Sequence, residues 1–428
     1  MVNIMINNVK KIFKTARIWI PQTFGSFFKW TIIALVIGVT VGFVASGFNF
    51  ALKECAQIRE KYPLIILGLP LFGIILVALY RLLGFKADKG TNMVLIAVRD
   101  GENMTWRNTL SIFLGSVLTH LGGGSAGREG AALQIGGSIG SQVGIWLRLK
   151  EQDHRLITMC GMSAGFSALF GTPAAAAFFS MEVISVGIMH YSAVVPCVVS
   201  ALTGFGVSSL FGVEKEAMTV ILENINIYVY IKVALIAALC GILSIVFCYV
   251  LKNSARIYRY FIRNPYIRII TGGLLVVSFT FILGTFDYNG AGTEIIARSF
   301  RTRAGFEEFI LKLLFTALTL GAGFKGGEIL PVFFVGSAFG SFIAPLLGLD
   351  CSVGAATGLA CLFCGVTNCP VTAVFLCVEM FGGKNLSLYI LACGISYMLS
   401  GYVGLYSEQK IVYSKTEPKF IDKKVGKK

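Results

Sequence analysis

The sequence predicts an all-α polytopic membrane protein, built as an inverted repeat of tilted and broken helices. Three observations carry that expectation. First, 55% of the 428 residues are hydrophobic and only 14% are charged, with a mean hydropathy of +0.76, whereas soluble globular domains carry about 25% charged residues. Second, the apolar segments in the middle of each half are short and studded with Gly, Ser, Thr and Pro, so several cannot cross about 30 Å of hydrocarbon unaided. Third, the second half echoes the first. Leu118-Thr119 is answered by Leu318-Thr319, Gly127-Arg128-Glu129 by Gly326-Gly327-Glu328, Gly137-Ser138 by Gly336-Ser337, and Pro173 and Glu182 by Pro370 and Glu379. The spacing between partners drifts only from 200 to 197 residues, a regularity that unrelated segments lack. If each copy crosses the membrane an odd number of times, the two are inverted. Their broken helix ends then meet near the midplane, where unpaired backbone is tolerated only against protein or water.

Taken in order, residues 1–28 place Lys10, Lys11, Lys14 and Arg17 among apolar side chains, the pattern of an amphipathic surface helix rather than a cleaved signal peptide. The first span is read at 30–52 and the second at 64–83, with Arg81, Lys86 and Lys89 on the return side; both basic flanks mark a cytoplasmic face. Broken segments follow at 109–121, 126–147, 156–170 and from Pro173, before longer spans return at 193–211 and 233–251. Lys252, Arg256, Arg259, Arg263 and Arg268 read as a linker. The division expected is therefore a first membrane repeat over 29–252, a basic linker over 253–268, a second repeat over 269–403, and a terminal helix with a basic tail over 404–428. One conflict follows. With the N-terminus inside, that linker would face outside, against the positive-inside tendency, while Lys415, Lys419, Lys423, Lys424, Lys427 and Lys428 favour a cytoplasmic C-terminus. Weighting the termini places both in the cytoplasm.

The net charge of +15 sits largely in termini and loops, which argues for contact with anionic lipid headgroups and against nucleic acid. Of eleven cysteines, most lie in apolar runs and read as small core residues. Cys361-x-x-Cys364 lacks a second pair or a nearby His, so neither a metal site nor a cofactor is expected. No Ser–His pair, HExxH motif or phosphate loop points to an enzyme.

The candidate site is the stretch 121–141, LGGGSAGREGAALQIGGSIGS. Gly122, Gly123, Gly124 and Gly127 let the backbone approach a ligand, and a helical pattern restarts after Gly130, so free N–H groups and a positive helix end converge on an anion. Glu129 stands at that end, able to leave when protonated and return when charged. The structural alternative is a glycine-rich packing segment with a buried, hydrogen-bonded Glu129. Glu182 and Glu379, matched in the two copies, read as helix caps, Arg128 as the neutraliser of a local carboxylate, and Lys312 and Lys325, near the second loop, as raising the local anion concentration or, more simply, as snorkelling lysines.

Gly127-Arg128-Glu129-Gly130 followed by Gln134-x-Gly136-Gly137-Ser138 resembles the CLC family of chloride channels and anion/proton antiporters. Gly165-Phe166-Ser167-Ala168 with Pro173 and Phe178–Glu182, then Gly326 to Pro331, and Val412-Tyr413-Ser414 extend the likeness over nearly the whole chain. The resemblance implies a CLC-type inverted repeat and a homodimer with one pathway per subunit. It also implies a gating and proton-coupling Glu129, and an anion path lined by Gly127, Arg128, Gly130, Glu328, Ile329, Leu330 and Tyr413. The family's first loop is here Gly90-Thr91-Asn92-Met93-Val94, which puts Thr91, or Met93 if the loop shifts, at the central anion, with Asn92 between them. Ala131 replaces a usual proline, Glu328 replaces an apolar residue, and Val183 takes the place of the internal proton glutamate. Together these departures resemble the bacterial fluoride-exporting branch. The resemblance implies a multi-pass protein of the bacterial plasma membrane that moves fluoride against protons, with Glu129 and Glu328 on one route. The alternative of the same fold is a chloride/proton antiporter or a passive chloride channel.

Overall fold

The computed structural model describes residues 2–85, 89–213, 217–222 and 225–426, with side chains from residue 23 onward. The basic side chains expected on an amphipathic surface segment (Lys10, Lys11, Lys14 and Arg17) lie outside the described residues, as do Lys86, Lys427 and Lys428.

Among the described residues, eight α-helices make the first unit: α1 (Val2–Lys61), α2 (Leu69–Leu82), α3 (Asn92–Asp100), α4 (Trp106–Leu121), α5 (Glu129–Trp146), α6 (Glu151–Phe170), α7 (Pro173–Glu182) and α8 (Val194–Leu210). Their counterparts are α9 (Ile227–Phe261), α10 (Pro265–Leu283), α11 (Thr293–Ser299), α12 (Phe306–Ala322), α13 (Ile329–Ile343), α14 (Cys351–Thr367), α15 (Pro370–Phe381) and α16 (Leu386–Leu399). Among the described residues, six stretches, including 23–61 and 227–261, are long and apolar enough to cross a membrane. Their faces divide as a membrane solvent requires: on α1, Ile37, Val41, Ala45 and Phe48 are buried at helical spacing, while Phe28, Ile32, Phe43 and Phe50 are exposed.

Contacts across the molecule obey the internal symmetry. The Thr119 hydroxyl accepts the Lys325 N–H at 3.1 Å, and Thr319 accepts that of Ser125 at the same distance. Ser141 and Ser341 each accept a backbone N–H, from Met104 and Ala304. Glu379 accepts the N–H groups of Ala174 and Ala175 at the start of α7 (3.0 and 2.9 Å), and Glu182 accepts those of Val371 and Thr372 at the start of α15 (3.1 and 2.8 Å). Each unit thus caps a helix of the other. Phe178 and Phe375 stack face to face with centroids 4.3 Å apart. Replacing Glu182 by Ala is expected to cost about 2–4 kcal/mol, because it orphans two backbone donors and the Thr372 hydroxyl in a buried site. A fall in the thermal midpoint of the detergent-purified protein measures it.

Close helix pairs are built on glycine. A Cβ on Gly136 would stand 2.0 Å from the Gly161 carbonyl oxygen, and one on Gly340 1.9 Å from that of Gly354. Only hydrogen at these positions lets α5 meet α6, and α13 meet α14, backbone to backbone.

The structure redraws two of the expected boundaries. The basic stretch over 253–268 is helical over most of its length, forming the last turns of α9 and the first of α10. Helix α9 packs on α14 and α16 as α1 packs on α6 and α8, so it opens the second unit and the division falls before residue 227 rather than after 252. This also removes the charge conflict. Lys29 pairs with Asp153 at the start of α6, a Cβ on Gly101 would meet Glu151, Arg99 reaches Glu408, and Lys252 lies beside Gly426. The start of the first span, the basic stretch and the C-terminal segment therefore share one face, since α9 adds a crossing that the sequence reading had assigned to the first copy. The terminal segment is a sheet rather than a helix: β1 (Ser185–Val186) pairs parallel with β2 (Lys410–Tyr413), which pairs antiparallel with β3 (Phe420–Lys424). β-Branched and aromatic residues at Ile411, Val412 and Tyr413 favour that pairing, and Ile411 and Val425 are buried beneath it.

Candidate functional site

Two glycine loops cross at the centre of the molecule. Gly127 and Gly327 exchange both backbone hydrogen bonds, at 2.7 and 2.6 Å, as an isolated antiparallel bridge. Immediately after each, a helix begins, α5 at Glu129 and α13 at Ile329. A helix start leaves its first N–H groups without intrahelical partners, so the bridge fixes two positive helix ends beside one another. The approach is close. A Cβ on Gly127 would stand 3.1 Å from the Leu330 nitrogen, and one on Gly327 2.5 Å from that of Gly130.

Side chains converge on the same spot. Glu129 is fully buried; its Oε2 accepts the Arg128 N–H at 3.1 Å and its Oε1 lies 3.5 Å from Arg128 Nε. Arg128 is itself held by Asn49, whose Oδ1 accepts from Nη1 at 2.7 Å. The point where a Cβ on Gly130 would lie is 3.1 Å from Glu328 Oε2 and 3.2 Å from Thr91 Oγ1. The Thr91 hydroxyl accepts a long hydrogen bond from Gln134 Nε2 (3.4 Å), which also donates to the Gly130 carbonyl at 3.2 Å. Accepting from Gln134 leaves Thr91 its own proton to donate.

The sequence reading did not single out Tyr406, which lies between Leu405 and Ser407, two residues that share a cavity with Glu328. Tyr406 is buried, and its hydroxyl has no hydrogen-bond partner among the described residues. Tyr413, expected in that place, is 47% exposed on β2 with its ring against Phe420. Tyr406-Ser407 and Tyr413-Ser414 carry the same dipeptide, and only the path of the chain after α16 tells them apart. The first loop is resolved likewise. Thr91 faces Gly130, while Asn92 turns its Oδ1 to the Glu408 N–H (3.0 Å) and Met93 presents its sulfur to Asn108 (3.8 Å). Those two side chains are engaged elsewhere because α3 begins at Asn92 and rotates successive residues by a helical step. Lys312 does not snorkel: it is fully buried and donates to the carbonyls of Tyr288 and Gly290 at 3.2 and 2.8 Å.

Separate cavities reach the two ends of the cluster. One of about 440 Å³ touches Arg128 and is lined by Asn49, Lys53, Arg59, His120 and Thr293. The other, about 400 Å³, touches Glu328, Leu405 and Ser407 and is lined by Lys252, Arg256 and Arg259. Cation-lined mouths with low-dielectric walls raise the local concentration of anions.

An apolar scaffold of inverted halves, with positive helix ends and hydroxyls between two basic mouths, defines a membrane protein that conducts anions. The chain belongs to the CLC family of anion transporters: residues 71–401 match the family described as Voltage gated chloride channel. Among its relatives is the chloride/fluoride channel protein of Pseudomonas syringae pv. tomato, 33% identical over 396 residues, covering 90% of this chain and 87% of that protein. An H(+)/Cl(-) exchange transporter of Vibrio cholerae is 24% identical over 86% of this chain and 85% of its own length. The crystal structure of a CLC-type fluoride/proton antiporter superposes with a TM-score of 0.86 at 35% identity, covering 89% of this chain and 98% of that one. That of a slow cyanobacterial Cl-/H+ antiporter shares the fold, with a TM-score of 0.74 at 21% identity over 87% and 94%.

Proposed function

We propose that the protein exchanges fluoride for protons across a bacterial plasma membrane, exporting fluoride, as a homodimer with one pathway in each subunit. The observation that carries this reading is the convergence on Gly130 of Glu328 Oε2 and Thr91 Oγ1, next to Glu129. Fluoride surrenders a strong hydration shell on entering, so compact O–H and N–H donors must replace water. Thr91, Tyr406 and the first amides of α5 and α13 are donors of that kind. Glu328 is decisive, because an ionised carboxylate repels an anion beside it, whereas the neutral acid is compatible with occupancy and donates a hydrogen bond. Glu129 supplies the second protonatable group and, when charged, competes with the anion for the α5 terminus. The names of the Pseudomonas relative and of the fluoride/proton antiporter structure support fluoride as the ion. The shared basic face, holding the start of the first span and the C-terminal sheet, supports cytoplasmic termini.

Efflux from loaded liposomes, with fluoride and chloride compared side by side and internal pH followed, tests the proposal. Fluoride is expected to leave at least about tenfold faster than chloride, a difference of about 1.4 kcal/mol, and to drive protons inward. Equal rates would refute the fluoride preference, faster chloride efflux would make the protein a chloride/proton antiporter, and rapid efflux without pH change a passive channel.

A further inference from the structure

The ends of α2, α9, α10 and α12 enclose a cleft of about 430 Å³, distinct from the cluster at Gly130. Its walls combine two chemistries. Arg81, Arg259, Arg268 and Lys325 contribute cations, while Val77 and Ile269 belong to an apolar side. Among the described residues no carboxylate lines it. The cations are held in place: the Arg81 guanidinium lies 4.6 Å from the Tyr266 ring centroid, Lys325 Nζ lies 4.7 Å from that of Tyr80, and Arg268 Nε donates to the Ala322 carbonyl at 3.2 Å. This last contact covers the negative end of the α12 dipole, which would otherwise oppose an anion there.

Position separates a lipid from a solute. Helices α2 and α9 belong to stretches long and apolar enough to cross a membrane and end at Leu82 and Phe261, and the α10 span begins at Pro265, so the cleft lies by the ends of three spans, on the side where they emerge. Its flanks are greasy. Leu71 and Ile75 of α2 and Ile267 and Leu274 of α10 are exposed on the outer surface. A dissolved anion needs no such flank, whereas a phospholipid needs arginines for its phosphate and an apolar surface for its chains.

We propose that this cleft binds an anionic phospholipid, with the headgroup phosphate among Arg81, Arg259 and Arg268 and the acyl chains against α2 and α10. The site also bears on transport. The cleft shares Ala255, Arg259, Leu320 and Gly321 with the cavity that touches Glu328, so a bound phosphate lowers the positive potential at that mouth.

Native mass spectrometry of the full chain in detergent, with phosphatidylglycerol and phosphatidylcholine of identical chains, tests the site. Phosphatidylglycerol is expected to remain bound where phosphatidylcholine does not. Each cation removed should weaken retention about fivefold. Arg81→Ala loses about that factor, and the Arg81→Ala/Arg268→Ala pair loses more. Because Arg268 also covers the end of α12, the single Arg81 variant, whose side chain is exposed, keeps the test valid if the pair misfolds. Lys410→Ala/Lys423→Ala, which removes cations of the C-terminal sheet, should leave retention unchanged. Equal retention of both lipids, wild-type retention by Arg81→Ala, or displacement of the lipid by an equal concentration of inorganic phosphate would each overturn the proposal.

Discussion

Glu129→Gln is expected to lower fluoride-driven proton movement in proteoliposomes at least about a hundredfold, the lower end of what removing a positioned proton carrier costs. Glutamine copies the shape and hydrogen bonding of the neutral acid, so its amide oxygen can still accept the Arg128 N–H that Glu129 Oε2 accepts at 3.1 Å. Arg128 also stays tied to Asn49. The substitution therefore removes the proton and the charge with little loss of packing, and anion movement should persist while proton movement fails. Recording fluoride with an electrode and protons with a trapped dye in the same vesicles separates the two. Coupling at the wild-type ratio would rule out the role assigned to Glu129.

The second large effect concerns assembly. Gly340→Ala places a methyl group 1.9 Å from the Gly354 carbonyl oxygen, a separation no relaxed contact reaches, so α13 and α14 must move apart. Against this stands the helix preference of Ala over Gly, about 1 kcal/mol. Overpacking a close backbone contact costs about 3 kcal/mol or more, so the steric term wins. The movement also displaces the start of α13, and with it Glu328. We expect a drop of many degrees in the thermal midpoint and loss of flux. Gly47→Ala on α1, with nothing within 4 Å of its added Cβ, should retain both, and equal behaviour of the two variants would refute the packing account.

The helical class and the repeat were legible because they rest on local signals. Apolar runs set the class, and echoes such as Pro173–Glu182 with Pro370–Glu379 lie along the chain itself. The capping role of Glu182 and Glu379 followed from that symmetry, although each turned out to cap the opposite unit. The terminal sheet was hidden by the net charge of its lysines. The start of the second unit was hidden because α9 ends in the cations that had read as a linker.

What the sequence determined by itself is the solvent and the symmetry: a chain this poor in charge must satisfy its backbone within helices, and two related halves must meet about a common centre. It also placed Glu129 and Glu328 at helix starts, because the glycines before them break the helical pattern. Which tyrosine is buried, and which residue of the first loop faces Gly130, was decided only in three dimensions. Tyr406 and Tyr413 share a dipeptide, and Thr91 and Met93 share a loop. Their difference lies in how the chain turns after α16 and into α3, a property of packing that neither spacing nor residue type encodes.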